Sequence, residues 1–340
     1  MFTALANLFR VPEIRKKIGI TLGLLFVSRI GTQIPLPGVD VEAWYTVVST
    51  RADSGLTQLV GLMNALSGGN INSPVLFSLG ILPYITASII LSLLVKVIPS
   101  LEALSKEGPA GQKKINQYSR LLTVPLCIFQ SIAICYTFFG NLGKGSGGNP
   151  VVPNFGLGFV IMAVLAITAG TIFLMWLGEQ ITEYGIGNGV SLLITAGIVS
   201  DIPFAFYRML QLSVEDPSFI LKSATLLVMY TAIVVGVVYM TKGQRRIPIQ
   251  QAKLVKGRRM VGGARHYLPV KLNMANVMPV IFASSLLILP STIVGWVTGD
   301  TSGRGFLSAG GWWWITLEIA LIFFFSYFWT SLMFQPSEMA

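Results

Sequence analysis

Eight stretches of the chain are long and apolar enough to take most of it out of water. They cover about residues 18–34, 74–95, 121–139, 155–177, 190–200, 224–240, 274–296 and 312–334. Most reach the ~17–25 residues a helix needs to cross ~30 Å of hydrocarbon. The fifth is continuous for only about 11 residues and becomes a span with its flanks at 187–189 and 202–206. Composition points the same way, with 53% of residues hydrophobic and 11% charged. That charge is less than half the ~25% of soluble domains. Too little remains to cover a water-facing surface, which excludes a soluble enzyme and a disordered chain. The expected fold class is an all-α integral membrane protein with eight spans.

Alternate sides of those spans carry very different charge. Twenty-four Lys and Arg against fourteen Asp and Glu give a net charge of +10. Eighteen of the basic residues fall on the side shared by the start of the chain and the loop after the sixth run. Five fall on the other side: Arg51, Lys144, Arg208, Lys222 and Arg304. The positive-inside rule then places both termini in the cytoplasm and the chain in the cytoplasmic membrane as a multi-pass protein. The same bias accounts for the net charge without a nucleic-acid ligand. The first run leads into IPLPG at residues 34–38 with no small-residue cleavage site, so it reads as a retained span. Between the fourth and fifth runs lie Glu179 and Glu183 with no Lys or Arg. Residues 145–150 read as an exposed turn.

Chemistry-bearing motifs are missing. The sequence holds no HExxH, no serine-nucleophile motif, no Walker A and no facing pair of deep carboxylates. GIGNG at residues 185–189 follows no strand and is a poor phosphate loop. Cys127 and Cys135 share one apolar run and read as packing residues, and His266 stands alone in a basic loop. No catalytic residue, metal or cofactor is expected.

Three regions invite a functional reading. Residues 59–67 are a short hydrophobic piece bounded by Gly68 and Gly69, spanning ~14 Å as a helix and so half a bilayer at most. They form either an interfacial helix on the outer face or a re-entrant segment folded into a cavity. GILPYI at residues 80–85 places Pro83 inside an apolar run, where it would kink a helix. Ile81 and Ile85 are packing residues or, with Ile281 beside Pro279 in the seventh run, part of an apolar constriction that holds back water and ions. The loop at 242–271, with GQRR and KGRR, is either a topogenic charge cluster or a docking surface for an acidic partner or RNA phosphate. Residues 98–120 are a weaker candidate on the same face. Arg29 is expected to snorkel, Glu318 to lie shallow beneath Trp312, Trp313 and Trp314, and Gln130 and Asn273 to hydrogen-bond between helices.

Several motifs together resemble one family. They are SRIGTQIPLPG at 28–38, MNALSGG at 63–69, LGILPYITASII at 79–90 and EGPAGQKKINQYSR at 107–120. FLMWLGEQITEYGIGNGVS follows at 173–191, GQRRIP at 243–248 and LPVKLNMANVMPVIFASSLL at 268–287. The chain is identified by them as similar to bacterial-type SecY, the main subunit of the Sec protein-translocation channel. The resemblance implies an inverted-repeat helical channel for unfolded preproteins, with sideways release of signal sequences into membrane lipid. Its pore ring falls on Ile81, Ile85, Ile194 and Ile281, and its plug on Leu59, Leu62, Met63, Leu66, Ser67, Gly68 and Gly69. The lateral gate falls on Thr86, Gln130 and Asn273. Docking of the motor ATPase SecA or the ribosome falls on Arg245, Arg246, Lys256, Arg258 and Arg259. Partner subunits SecE and SecG are implied as well.

The same resemblance divides the chain into an N-terminal half at 1–205, with five spans, and a C-terminal half at 206–340, with three. The family has ten spans, so eight of ten are present and the sequence is expected to be an incomplete channel. The last cytoplasmic loop, two spans and a fifth ring residue have no counterpart, and Glu318 falls where the family is apolar. A secondary transporter is the alternative, since it too uses inverted repeats and broken helices. It would need substrate-binding charges near the midplane, where this chain is apolar. A membrane adaptor that docks a cytoplasmic motor would rest on the loop with Arg245–Arg259 alone.

Overall fold

The computed structural model describes residues 11–50, 74–136, 139, 151–215, 217–250, 254–256, 259–261, 265–275, 278–280, 282–284, 286–287 and 312–333. The candidate plug at 59–69, the turn at 145–150, Ile281 and Arg258 lie outside the described residues, as does much of the seventh apolar run.

Proline and glycine set where the early helices begin. Helix α1 (Pro12–Gly31) carries proline in its first turn, where the missing N–H was unpaired in any case. Helix α2 (Val41–Thr50) is started by Asp40, whose Oδ1 accepts the N–H groups of Glu42 and Ala43 at 3.0 and 3.2 Å. Helix α3 (Leu82–Val97) stops at Ile98, which Pro99 holds extended at φ −98° and ψ 114°. Ile98 also opens α4 (Pro99–Lys106), and the two helices meet at 100°. Leu101 and Leu104 turn α4 back onto Leu91, Val95 and Ile115. Gly108, at φ +79°, then allows the sharp entry into α5 (Pro109–Ile134).

Helix α6 (Leu157–Tyr184) is the axis around which α1, α3 and α5 pack. Phe159, Val160, Ala163, Val164 and Ile167 on α6 form one core with Leu36, Trp44, Leu79, Cys127 and Phe139. Both cysteines are fully buried thiols, as their place in an apolar run suggests. Helix α7 (Gly189–Glu215) starts at Asn188, whose Oδ1 accepts the Ser191 N–H. Next come α8 (Pro217–Lys242), the strands β1 (Gln244–Gln250), β2 (Leu254–Lys256), β3 (Arg259–Val261) and β4 (Arg265–Lys271), and α9 (Trp312–Met333). The chain divides into two compact units, residues 1–203 with 282–320 and residues 204–281 with 321–340.

Among the described residues, α6, α7, α8 and α9 each hold a stretch long and apolar enough to cross a membrane, and the bent α3–α4 pair adds a fifth if it is one span. Helices α1 and α5 carry Lys and Arg near their starts, so less of each is apolar. Two local expectations change. Pro83 sits in the first turn of α3 and bends nothing, because residues 76–81 form turns that leave α3 to start at Leu82. Glu179 and Glu183 belong to α6, which runs to Tyr184, and are not in a loop.

Candidate functional site

The entry to α3 is held by two glycines on other helices. A Cβ on Gly31 of α1 would collide with the Phe77 ring, and one on Gly170 of α6 with the Leu76 carbonyl. Phe77 is buried and stacks on Phe173 with ring centroids 6.0 Å apart. Gly80, at φ +57°, completes the turn and delivers Ile81 to the head of α3. Ile81 is 2% exposed and Ile85 8%, and the Ile85 N–H donates to the Ile81 carbonyl at 3.1 Å. The Ile81 Cδ1 atom lies 3.6 Å from where Gly178 of α6 would carry a Cβ, alongside Val190 and Leu193 of α7. Ile194, next to Leu193, is half-buried. The result is a dry aliphatic layer where α3, α6 and α7 converge, and burying one such side chain contributes ~1.5–3 kcal/mol.

GIGNG is the turn that lets α7 approach α6. A Cβ on Gly189 would overlap the Gly178 carbonyl, and Gly187 lies at φ +74°. Thr182 Oγ1 accepts the Gly189 N–H at 2.8 Å, and Thr21 Oγ1 of α1 accepts the Ile186 N–H at 3.1 Å. Packing thus explains these glycines without a phosphate. Arg29 also has a partner here, donating from Nη1 to Ser200 Oγ at 3.1 Å.

Within the first unit, Thr86 and Gln130 do not bond to each other. The Thr86 hydroxyl donates to the Leu82 carbonyl in its own helix at 3.0 Å. Gln130 Oε1 on α5 is enclosed with no hydrogen-bond partner among the described residues, which costs about 1–3 kcal/mol in a buried acceptor. Asn273 follows β4 in the other unit and is exposed. A pair that sequence reasoning missed is Arg120 on α5 with Glu179 on α6, where Nε meets Oε1 at 2.5 Å. Its signal was present: opposite charges at the edges of two apolar runs are expected to seek each other.

The basic loop folds into β-ribbons. β1 pairs antiparallel with β4, setting Arg245 opposite Val270 and Arg246 opposite Pro269. The Leu272 N–H donates to the Gly243 carbonyl at 3.1 Å and closes the base. β2 pairs with β3, placing Lys256 opposite Arg259. Arg245 and Arg246 are exposed. In α4, the Lys106 ammonium 2.8 Å from Glu102 holds that carboxyl below its ordinary range.

Comparison with known proteins gives these features their context. The SecY family model matches residues 75–340. The chain is 42% identical to the protein translocase subunit SecY of Streptomyces galbus, across all of this chain and 79% of that protein. It belongs to the SecY family. Identity is 40% to the Escherichia coli strain K12 protein of the same description, over 96% of this chain and 74% of that one. A Buchnera aphidicola relative is also 40% identical, over 96% of this chain and 92% of its own length. A solved protein-conducting channel superposes with a TM-score of 0.54 at 20% identity, covering 85% of this chain and 62% of its own. Sec61 of the canine ribosome–channel complex gives 0.54 at 19%, with the same coverage. The chain therefore spans less than two thirds of those channel structures, and the likeness to them establishes the fold. The fold is mostly helical, multi-pass and of the SecY channel type.

Proposed function

We propose that this protein is the channel-forming subunit of a Sec translocon, which conducts unfolded preproteins outward and releases signal sequences sideways into lipid. Whole-chain similarity to the SecY relatives supports the assignment. The observation that carries the mechanism is the dry layer around Ile81 and Ile85. A pore for arbitrary sequences cannot hold tight polar sites, because a passing chain must leave as easily as it enters. Large aliphatic side chains seal against water while preferring no sequence. Ile194 and Ile281 would complete the ring, and residues 59–69 would plug it. Thr86, Gln130 and Asn273 would form a gate of few and weak polar contacts, worth ~0.6 kcal/mol each in membranes. A signal helix can tip so small a balance.

No residue has a catalytic part in this scheme, and the driving energy comes from partners. The ribbon with Arg245, Arg246, Lys256, Arg258 and Arg259 would dock SecA or the ribosome on the cytoplasmic side, with SecE and SecG beside the channel in the membrane. The start of α1 and the end of α9 would then both be cytoplasmic, and residues 1–205 and 206–340 would belong to opposite halves. The test supplies a labelled preprotein, SecA and ATP to sealed vesicles whose only channel subunit is this protein. Protease-protected preprotein is expected when the last cytoplasmic loop and the two further spans of the family are supplied with it. Vesicles that bind SecA but protect no preprotein would sink the assignment.

A further inference from the structure

Helix α5 carries Gln130 and packs on both α3 and α6. Its buried positions recur every fourth residue as Gly111, Ile115, Ser119, Thr123, Cys127 and Ser131. The Ser119 and Thr123 hydroxyls donate to the Ile115 and Ser119 carbonyls of α5 itself. Small side chains that bond inward let backbones approach closely but offer little resistance to sliding. Among the described residues, Arg120–Glu179 is the one ion pair joining two long apolar helices. The other ion pairs among the described residues lie within α4 and between Glu107 and Lys114. Its placement is specific. Gly178, the residue before Glu179, packs against Ile81. Arg120 also precedes Pro125, an interior proline of α5, and Gln130 follows it. The pair thus ties α5 to α6 on the near side of Pro125, one residue from the α6 glycine that packs on Ile81.

We infer that Arg120–Glu179 is a latch that holds α5 in register on α6 and biases the channel toward its closed state. Both are positioning residues: they act through the placement of α5 and touch no substrate. The inference rests on the channel reading above, with α5 as a gate helix. A latch of this kind makes opening depend on breaking or carrying one charged contact, while the rest of the interface slides.

Vesicles containing the complete translocon test it, using preproteins with intact and with defective signal sequences. Glu179→Gln and Arg120→Gln should each raise transport of the defective preprotein relative to the intact one at least about fivefold, the low end of a conformational coupling. The exchange Arg120→Glu with Glu179→Arg should return the ratio toward wild type. A ratio unchanged in the single variants, or raised but not restored by the exchange, overturns the latch. Where a single variant lowers the amount of chain, the double variant Arg120→Gln with Glu179→Gln, which leaves neither charge unpaired, carries the same readout; an unchanged ratio there also overturns it. If wild-type vesicles transport no intact preprotein, the channel reading fails and not the latch alone.

Discussion

Helices α6 and α8 are both apolar enough to cross a bilayer, yet half of the most apolar stretch of α6 is buried inside the protein and none of that of α8 is. The contrast lies in their small residues. Gly170 and Gly178 on α6 sit where a Cβ would meet the 76–77 turn or the side chains of α7, whereas Gly236 on α8 has nothing within 4 Å. Leu226, Val228, Tyr230, Val235 and Tyr239 face outward around α8. Hydropathy thus reports only that a helix avoids water. Whether protein or lipid replaces the water depends on which backbones can approach it.

The largest expected effect separates the two helices directly. Gly170→Ala drives a methyl into the Leu76 carbonyl and should cost about 1–3 kcal/mol or more as overpacking. Gly236→Ala meets open space and should be neutral or stabilising by up to ~1 kcal/mol. Thermal unfolding of the purified chain in detergent reads both, and equal responses would break the contrast. Ile81→Gly follows in size. It removes a buried side chain from the aliphatic layer and should make the resting channel leak ions across a planar bilayer, while Val235→Gly on the exposed face of α8 should not. An unchanged leak in the first would count against the constriction.

Charge on the ribbon comes next. Arg245→Glu combined with Arg246→Glu should weaken sedimentation with SecA or ribosomes about tenfold at low salt and less at high salt, with stability altered by no more than ~0.5 kcal/mol. Loss of stability rather than of binding would assign the arginines to the fold. The smallest effect belongs to α4. Glu102 has its pKa lowered, first by its hydrogen bond to Lys106, so its contribution is present above the ordinary carboxylate pKa and is lost as pH falls through the depressed value. Amide exchange in the last turn of α4 should quicken over that acidic window and not near neutrality. Glu102→Gln should abolish the pH dependence.

Much of the architecture was legible because bilayer thickness and helix rise leave few ways to read a long apolar run. The proposed ring and gate positions rest on resemblance, since an isoleucine in an apolar run carries no mark of its own. Other features escaped for physical reasons. Pro83 looked like a kink because hydropathy cannot say where within a run the helix begins; the turn at 76–81 decided that. Glu179 looked like a loop charge because its compensating partner is far away in sequence, on α5. The basic loop became a pair of ribbons through pairings between β1 and β4 that local propensity does not encode.

The sequence by itself determined the solvent of this protein, its family and, through the basic bias, the orientation expected of its spans. Those properties depend on sums over many residues, and a sum survives ignorance of any one contact. Only the tertiary structure decided that Ile81 meets the α6–α7 corner, that GIGNG is a packing turn and that Arg120 reaches Glu179. Each of these is a single close approach between distant segments. Such an approach is fixed by the shape of the whole packed unit and by nothing local to either residue.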